Sequence, residues 1–256
     1  MAKDIKSGSD IAVWFSCGAA SAVAAKLTLD LYSDCNVRIL NSPILEEDDD
    51  NRRFLDDVSD WINQEIEIVT SPDFPSQSAV EVWQKKKFMS SVVGAPCTVE
   101  LKKKPRQIWE QTNKVDWHVL GFTYEEKNRA DRFILTERDN LLPVLVEQKI
   151  TKVQCMEMIS EAGIKLPKVY RQGFPNANCI GCVKATSPTY WNLVRRIYPE
   201  IFEQRAKQSR EIGAKLTRVN NERIFLDELD PDYEGNPIKN DFVECGLFCE
   251  EGDQNG

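Results

Sequence analysis

Short apolar runs alternate with helix-patterned segments through the first half of the chain, and this alternation limits the folds open to it. Residues 11–15 (IAVWF), 37–40 (VRIL), 65–69 (EIEIV) and 117–120 (WHVL) read as strands. Runs this short and this apolar fit strands buried on both faces. Between the strands, residues 21–31 are rich in strong helix formers. Residues 52–62 carry Phe54, Leu55, Val58, Trp61 and Ile62 on one helical face. Residues 79–89 and 99–109 also read as helices. The pattern predicts an α/β fold with a doubly wound, mostly parallel sheet. Right-handed crossovers place the loops after the strands along one edge, where ligands bind. The candidate loops follow Phe15, Leu40 and Leu120.

From about residue 141 the pattern changes. Residues 151–162 read as a helix closed by Gly163, and a Pro/Gly/Asn-rich loop spans 166–178. Residues 191–213 read as mostly helical with a break near Pro199. A polar tail begins at Asp230. The expectation is a nucleotide-binding α/β domain over 1–140, with a cysteine-rich, mainly helical segment and tail over 141–256 packed on it.

Charge and composition narrow the function. The 41 acidic and 33 basic residues leave a net charge of −8, which disfavours a broad grip on nucleic-acid phosphates. Two KKK runs, at 85–87 and 102–104, read as solvated helix faces. No apolar run is as long as a membrane span, and MAKDIKSGSD lacks the apolar core of a signal peptide. A cytoplasmic protein is expected. The single histidine, His118, argues against a histidine-rich metal site and a Ser-His-Asp hydrolase; its apolar setting suits a core position.

Eight cysteines in a reducing compartment point to metal or redox work. Cys179 and Cys182 form Cys-Ile-Gly-Cys, in which Gly181 lets the backbone turn so that both thiols face one point. Cys97 precedes the basic segment ELKKKPRQIW, whose cations favour thiolates. Three such cysteines suit an iron–sulfur cluster. A structural zinc site of Cys179, Cys182, Cys245 and Cys249 is the competing reading. Cys35 and Cys155 read as small buried apolar residues.

The turn after the first strand is the other candidate site. Phe15, Ser16, Cys17, Gly18, Ala19, Ala20 and Ser21 join a strand to a helix through small side chains. Such a turn lets backbone N–H groups and the helix N-terminus approach a phosphate or sulfate. Farther on, Arg129 and Arg132 follow the fourth strand and could grip the ligand's anionic end.

FSCGAASAVAAKL resembles the SGGxxS loop of the adenine-nucleotide α-hydrolase superfamily (PP-loop, HUP-like), which includes PAPS and APS reductases and ATP pyrophosphatases. Cys17 stands at the pattern's second glycine, and Ala20 stands where the pyrophosphatases often carry an acid. NSPILEEDDDNRRFLDDV, LGFTYEEKNRADRF, the stretch from PVLVEQ to CIGC, and the terminal ECGL are similar to the reductases in the same order. The resemblance implies that Asn41, Ser42 and Gly121 line the adenosine site. It implies a [4Fe-4S] cluster on Cys97, Cys179 and Cys182, with Cys245, Cys249 or an open iron as the fourth position, and a nucleophile at Cys245. Phe248 replaces the histidine of the ECGL-His pattern, and Cys249 has no counterpart. The implied activity is reduction of a sulfonucleotide to sulfite with a thioredoxin-like thiol reductant. The rivals are an ATP-dependent sulfurtransferase, and a nucleotide- or redox-sensing protein without catalysis.

Overall fold

The computed structural model describes residues 5–91, 94–233 and 235–238. Its main sheet has five strands: β1 (Asp10–Phe15), β2 (Asn36–Asn41), β3 (Ile66–Ile68), β4 (Trp117–Val119) and β5 (Leu141–Leu142). Their order is β3-β2-β1-β4-β5, and each pairing is parallel. The four expected strands are present. The fifth carries no sequence signal, because two residues are too few to show a period.

Two compact units divide the chain. The first runs to Pro43 and takes in Asp49–Val69 and Arg106–Pro167; the second holds Ile44–Asp48, Thr70–Pro105 and the chain from Lys168 on. A boundary at residue 140 is therefore corrected. β5 extends the sheet beside β4, so the chain after residue 140 stays with the sheet. Residues 70–105, expected inside the α/β alternation, belong to the other unit.

In the first unit, α1 (Ala19–Leu31), α2 (Asp50–Ile62), α7 (Val144–Glu147) and α8 (Lys152–Glu161) share one apolar cluster with Ile11, Val13 and Phe15 of β1. Alternation along β1 turns Trp14 to the opposite face. There its ring meets Trp109 of α5 (Lys104–Thr112) edge-on at 5.7 Å. The Trp109 indole donates to Glu67 of β3 at 2.6 Å. β1 is thus covered on both faces, and fully burying a side chain such as Phe54 contributes roughly 1.5–3 kcal/mol. Segment Tyr124–Glu126 and α6 (Lys127–Thr136) follow β4. Cys155 is fully buried, as expected, whereas Cys35 is only half-buried, its thiol directed at the Lys6 carbonyl.

The second unit gathers α3 (Ala79–Lys86), the turn α4 (Pro96–Thr98), a π-helical segment Val99–Lys103, α9 (Lys168–Arg171), α10 (Pro188–Ile197) and α11 (Pro199–Ile212). Its core includes Trp83, Phe174, Tyr190, Trp191 and Phe202. Pro199 opens α11 and enforces the expected break. A hairpin of β6 (Thr217–Val219) and β7 (Glu222–Ile224) turns through Asn220 and Asn221, both at positive φ, as a tight hairpin demands. The lysine runs are not simply solvated. Lys102 is buried near Glu47, while Lys86 and Lys104 both pair with buried Glu100. Among the described residues no helix is long and apolar enough to cross a membrane.

His118 lies in β4, buried as its apolar sequence setting suggests. The Trp14 indole donates to its Nδ1 at 3.1 Å, and Arg138 Nη1 sits 2.7 Å from Nε2. Burial first, then Arg138 and Arg106, push its pKa down to about 3. Unfolding frees it to bind a proton below about pH 6.5. The unfolded state then binds more protons than the folded one, so stability falls as pH drops from about 6.5 towards 3. Urea midpoints across that window should show this loss in the wild-type protein. In His118→Asn the loss should be reduced by about one proton's worth, and an identical slope in both proteins would refute the assignment.

Candidate functional site

The β1–α1 turn is built from its smallest residues. Cys17 takes the left-handed conformation at φ 59°, a position that costs a non-glycine residue roughly 1–2 kcal/mol. Ser21 Oγ accepts from the Ser16 backbone N–H at 3.1 Å and donates to the Gly18 carbonyl at 3.0 Å. The two serine hydroxyls are themselves 3.1 Å apart. These bonds shape the turn, so a ligand that recruits either hydroxyl must exchange with them. Helix α1 begins with no side-chain cap and no acidic residue in its first turn, leaving its N-terminal field unopposed by carboxylate.

Neighbouring strand ends complete the turn's surroundings. Asn41, at the end of β2, donates to the Phe15 carbonyl at 2.8 Å and lies 3.6 Å from the Cys17 sulfur. The Ser42 hydroxyl is buried and has no hydrogen-bond partner. A buried orphan hydroxyl costs roughly 1–3 kcal/mol unless a water or a ligand atom satisfies it. Gly121, just past β4, presses on the first turn of α1. A Cβ there would sit 2.8 Å from the Ser21 nitrogen. Gly121 is accordingly a packing requirement of the turn.

Arginines 129 and 132 are not joined to this group by the contacts they make. Arg129 pairs with Glu126 at 2.7 Å and stacks over Phe122 at 4.8 Å, while Arg132 is exposed. The acids of this segment serve as caps: Glu126 accepts from the Thr123 N–H, and Glu125 accepts from the Lys152 N–H at the start of α8. Local helix chemistry thus accounts for much of the charge here.

In the second unit, the Cys179–Cys182 loop is held at several of its backbone groups. Tyr190 Oη accepts from the Cys182 N–H at 2.9 Å and donates to the Cys179 carbonyl at 3.5 Å. The Ile180 N–H donates to the Glu46 carbonyl at 3.0 Å, and Arg205 Nε donates to the Gly181 carbonyl at 3.1 Å. The bond from Ile180 ties the loop to residues 44–48, whose own Leu45 N–H donates to the Gln77 carbonyl. Gly181 makes the turn at φ 68°. Glu46 also takes the Ser78 hydroxyl at 2.6 Å and the Ala79 N–H at 2.8 Å, capping α3. Asp48 accepts from Tyr198 Oη at 2.8 Å and pairs with Lys168 at 3.1 Å. The acidic run at 46–48 therefore latches several elements of the second unit, a role that nothing in its local pattern signals.

Cys97 and Cys179 are buried in the same apolar cluster, with Cys182 packed against it, and none of the three is in a disulfide. Contacts connect them: α3 packs on the turn bearing Cys97, its Trp83 ring carries Arg205 at 4.4 Å, and Arg205 reaches Gly181. The Trp83 indole N–H is buried without a partner. Among the described residues, no three His, Cys, Asp or Glu side chains are grouped for a single metal ion. A four-iron cluster takes one thiolate on each iron, which spreads its ligands more widely than one ion does. The second unit thus holds three thiols, a buried cation and an orphan donor, the kinds of group such a cluster uses. Cys245 and Cys249, and with them the fourth ligand and the competing zinc site, lie outside the described residues.

Two substitutions test these local structures. Gly121→Ala should cost roughly 1–3 kcal/mol in urea unfolding, because backbone must move to admit the methyl group. Glu46→Ala should cost a similar roughly 1–3 kcal/mol by removing the acceptor of the Ser78 hydroxyl and the Ala79 N–H at the start of α3. An unchanged midpoint in either variant would contradict the corresponding contact.

Compared with known families and curated proteins, the chain matches no family model and no curated relative.

Proposed function

We propose that the first unit binds an adenine nucleotide and that the protein acts in sulfur chemistry as a PAPS/APS-reductase-like enzyme. The observation that carries the nucleotide reading is the position of the β1–α1 turn. In the order β3-β2-β1-β4-β5 the chain reverses direction across the sheet between β1 and β4. Ligands of open α/β sheets bind outside the strand ends at such a switch point. The α1 N-terminus, with no acidic residue in its first turn, and the Ser42 hydroxyl are groups of the kind that meet a nucleotide's oxygens.

Phe15, Ser16, Cys17, Gly18, Ala19, Ala20 and Ser21 form the cradle for phosphate or sulfate in this reading, with Asn41, Ser42 and Gly121 towards adenosine. Ala20 offers no carboxylate for a magnesium–pyrophosphate group, which favours a sulfonucleotide over ATP. Cys97, Cys179 and Cys182 would hold a [4Fe-4S] cluster, which when bound supplies a fixed, tunable charge. The Cys245 thiolate attacks the sulfate sulfur. An S–S bond forms, the S–O bond to phosphate breaks, and AMP or its 3′-phosphate form leaves with the electron pair. An external dithiol of thioredoxin type then attacks the Cys245 sulfur and expels sulfite. Its second thiol releases Cys245 and leaves the reductant as a disulfide. Covalent catalysis divides one difficult displacement into easier ones.

The test incubates anaerobically purified protein with APS or PAPS and a dithiol, then assays sulfite. Ser16→Ala/Ser21→Ala should bind the nucleotide roughly tenfold more weakly, the loss expected of about 1.4 kcal/mol of hydrogen bonding. No sulfite from either sulfonucleotide would remove the reductase reading. Pyrophosphate released from ATP would transfer it to the sulfurtransferase.

A further inference from the structure

We infer that Arg205 is the counter-charge of an anionic sulfur centre at Cys179 and Cys182, and that it sets that centre's affinity for electrons. The inference deepens the iron–sulfur reading of those cysteines and rests on it.

Arg205 is 3% exposed. Its Nε donates to the Gly181 carbonyl at 3.1 Å and its Nη1 to Gln208 Oε1 at 2.5 Å, so both hydrogen-bond acceptors are neutral. The acidic groups whose fields reach it are Glu46, Cys179, Tyr190 and Cys182. Glu46, whose carboxylate also accepts at the N-terminus of α3, contributes the largest compensating field. The Tyr190 hydroxyl is committed to both ends of the cysteine loop. Cys179 and Cys182 flank the peptide that Arg205 holds, and thiolates fixed there by a metal would add to that compensation. A buried cation without such compensation is strongly disfavoured, whereas metal-held thiolates provide it permanently.

An independent observation points the same way. The ring under Arg205 is Trp83, whose indole N–H is buried with no acceptor. Thiolate and sulfide sulfur accept weak hydrogen bonds, and such bonds raise a cluster's reduction potential. A guanidinium bonded to the peptide between the two cysteines favours an added electron there, and the indole stacked against it holds a donor that is not otherwise used. Glutamine at position 205 keeps hydrogen-bonding capacity but removes the charge; lysine keeps the charge.

The experiment measures iron content and the reduction midpoint, by electron paramagnetic resonance, of the anaerobically purified full chain and its Arg205→Gln, Arg205→Lys and Trp83→Phe variants. The wild-type protein and Arg205→Lys should hold iron and share a midpoint. Arg205→Gln should be harder to reduce, with the reduced-to-oxidised ratio at the wild-type midpoint down roughly tenfold, equivalent to about 59 mV for one electron. Trp83→Phe should shift the same way by less, and it carries the test if Arg205→Gln does not fold. A wild-type protein without iron would overturn the cluster reading and this inference together. An iron-loaded wild-type protein with unmoved midpoints in Arg205→Gln and Trp83→Phe would overturn this inference alone.

Discussion

Strand β1 is hydrogen-bonded to β2 on one edge and β4 on the other, and its side chains are buried on both faces. No backbone group at its centre can turn to water, so the chain must leave the sheet at its end and reverse within a few residues. That requirement shapes the β1–α1 turn. Cys17 adopts a left-handed conformation, Ala19 and Ala20 pack without bulk, and Gly121 yields space to the first turn of α1. The helix start built from these small residues is buried and carries no acidic residue in its first turn. Packing and anion binding therefore ask for the same residues, and the turn alone does not distinguish them. The Ser42 hydroxyl at the neighbouring strand end is buried without a protein partner, which a water or a ligand oxygen would satisfy.

The second unit depends less on regular pairing than on charge. Its two strands form a small hairpin, and its loops are held by side chains that satisfy backbone groups. Glu46 closes the start of α3, Tyr190 spans the ends of the cysteine loop, and Arg205 holds the loop's middle. A loop restrained at this many points presents its thiols in a defined arrangement at little further entropic cost. The arrangement also explains how a charged side chain comes to lie in an apolar core: Arg205 is bonded to the peptide between the two cysteines.

Legibility followed from periodicity. β1 to β4 were visible because short apolar runs separated by helical stretches are compatible with few architectures besides a covered parallel sheet. The break at Pro199 was visible because proline cannot continue a helix. β5 escaped because two residues carry no pattern, and β6 and β7 because their polar strands lack an alternating apolar face. Lys102 looked like part of a solvated run, yet it is buried with Glu47, a partner distant in sequence. Arg129 looked like an anion clamp, yet Glu126, one turn earlier on the chain, already holds it.

The amino-acid sequence by itself determined the α/β character of the first unit, the small-residue turn after β1 and the grouping of Cys179 with Cys182, since each follows from near neighbours along the chain. Tertiary structure decided which segments belong together: residues 44–48 and 70–105 with the cysteine loop, and residues 141–167 with the sheet. It also decided which charges are buried, because a side chain's burial and counter-charge depend on residues far away in the chain, and spacing along the sequence carries no measure of that distance.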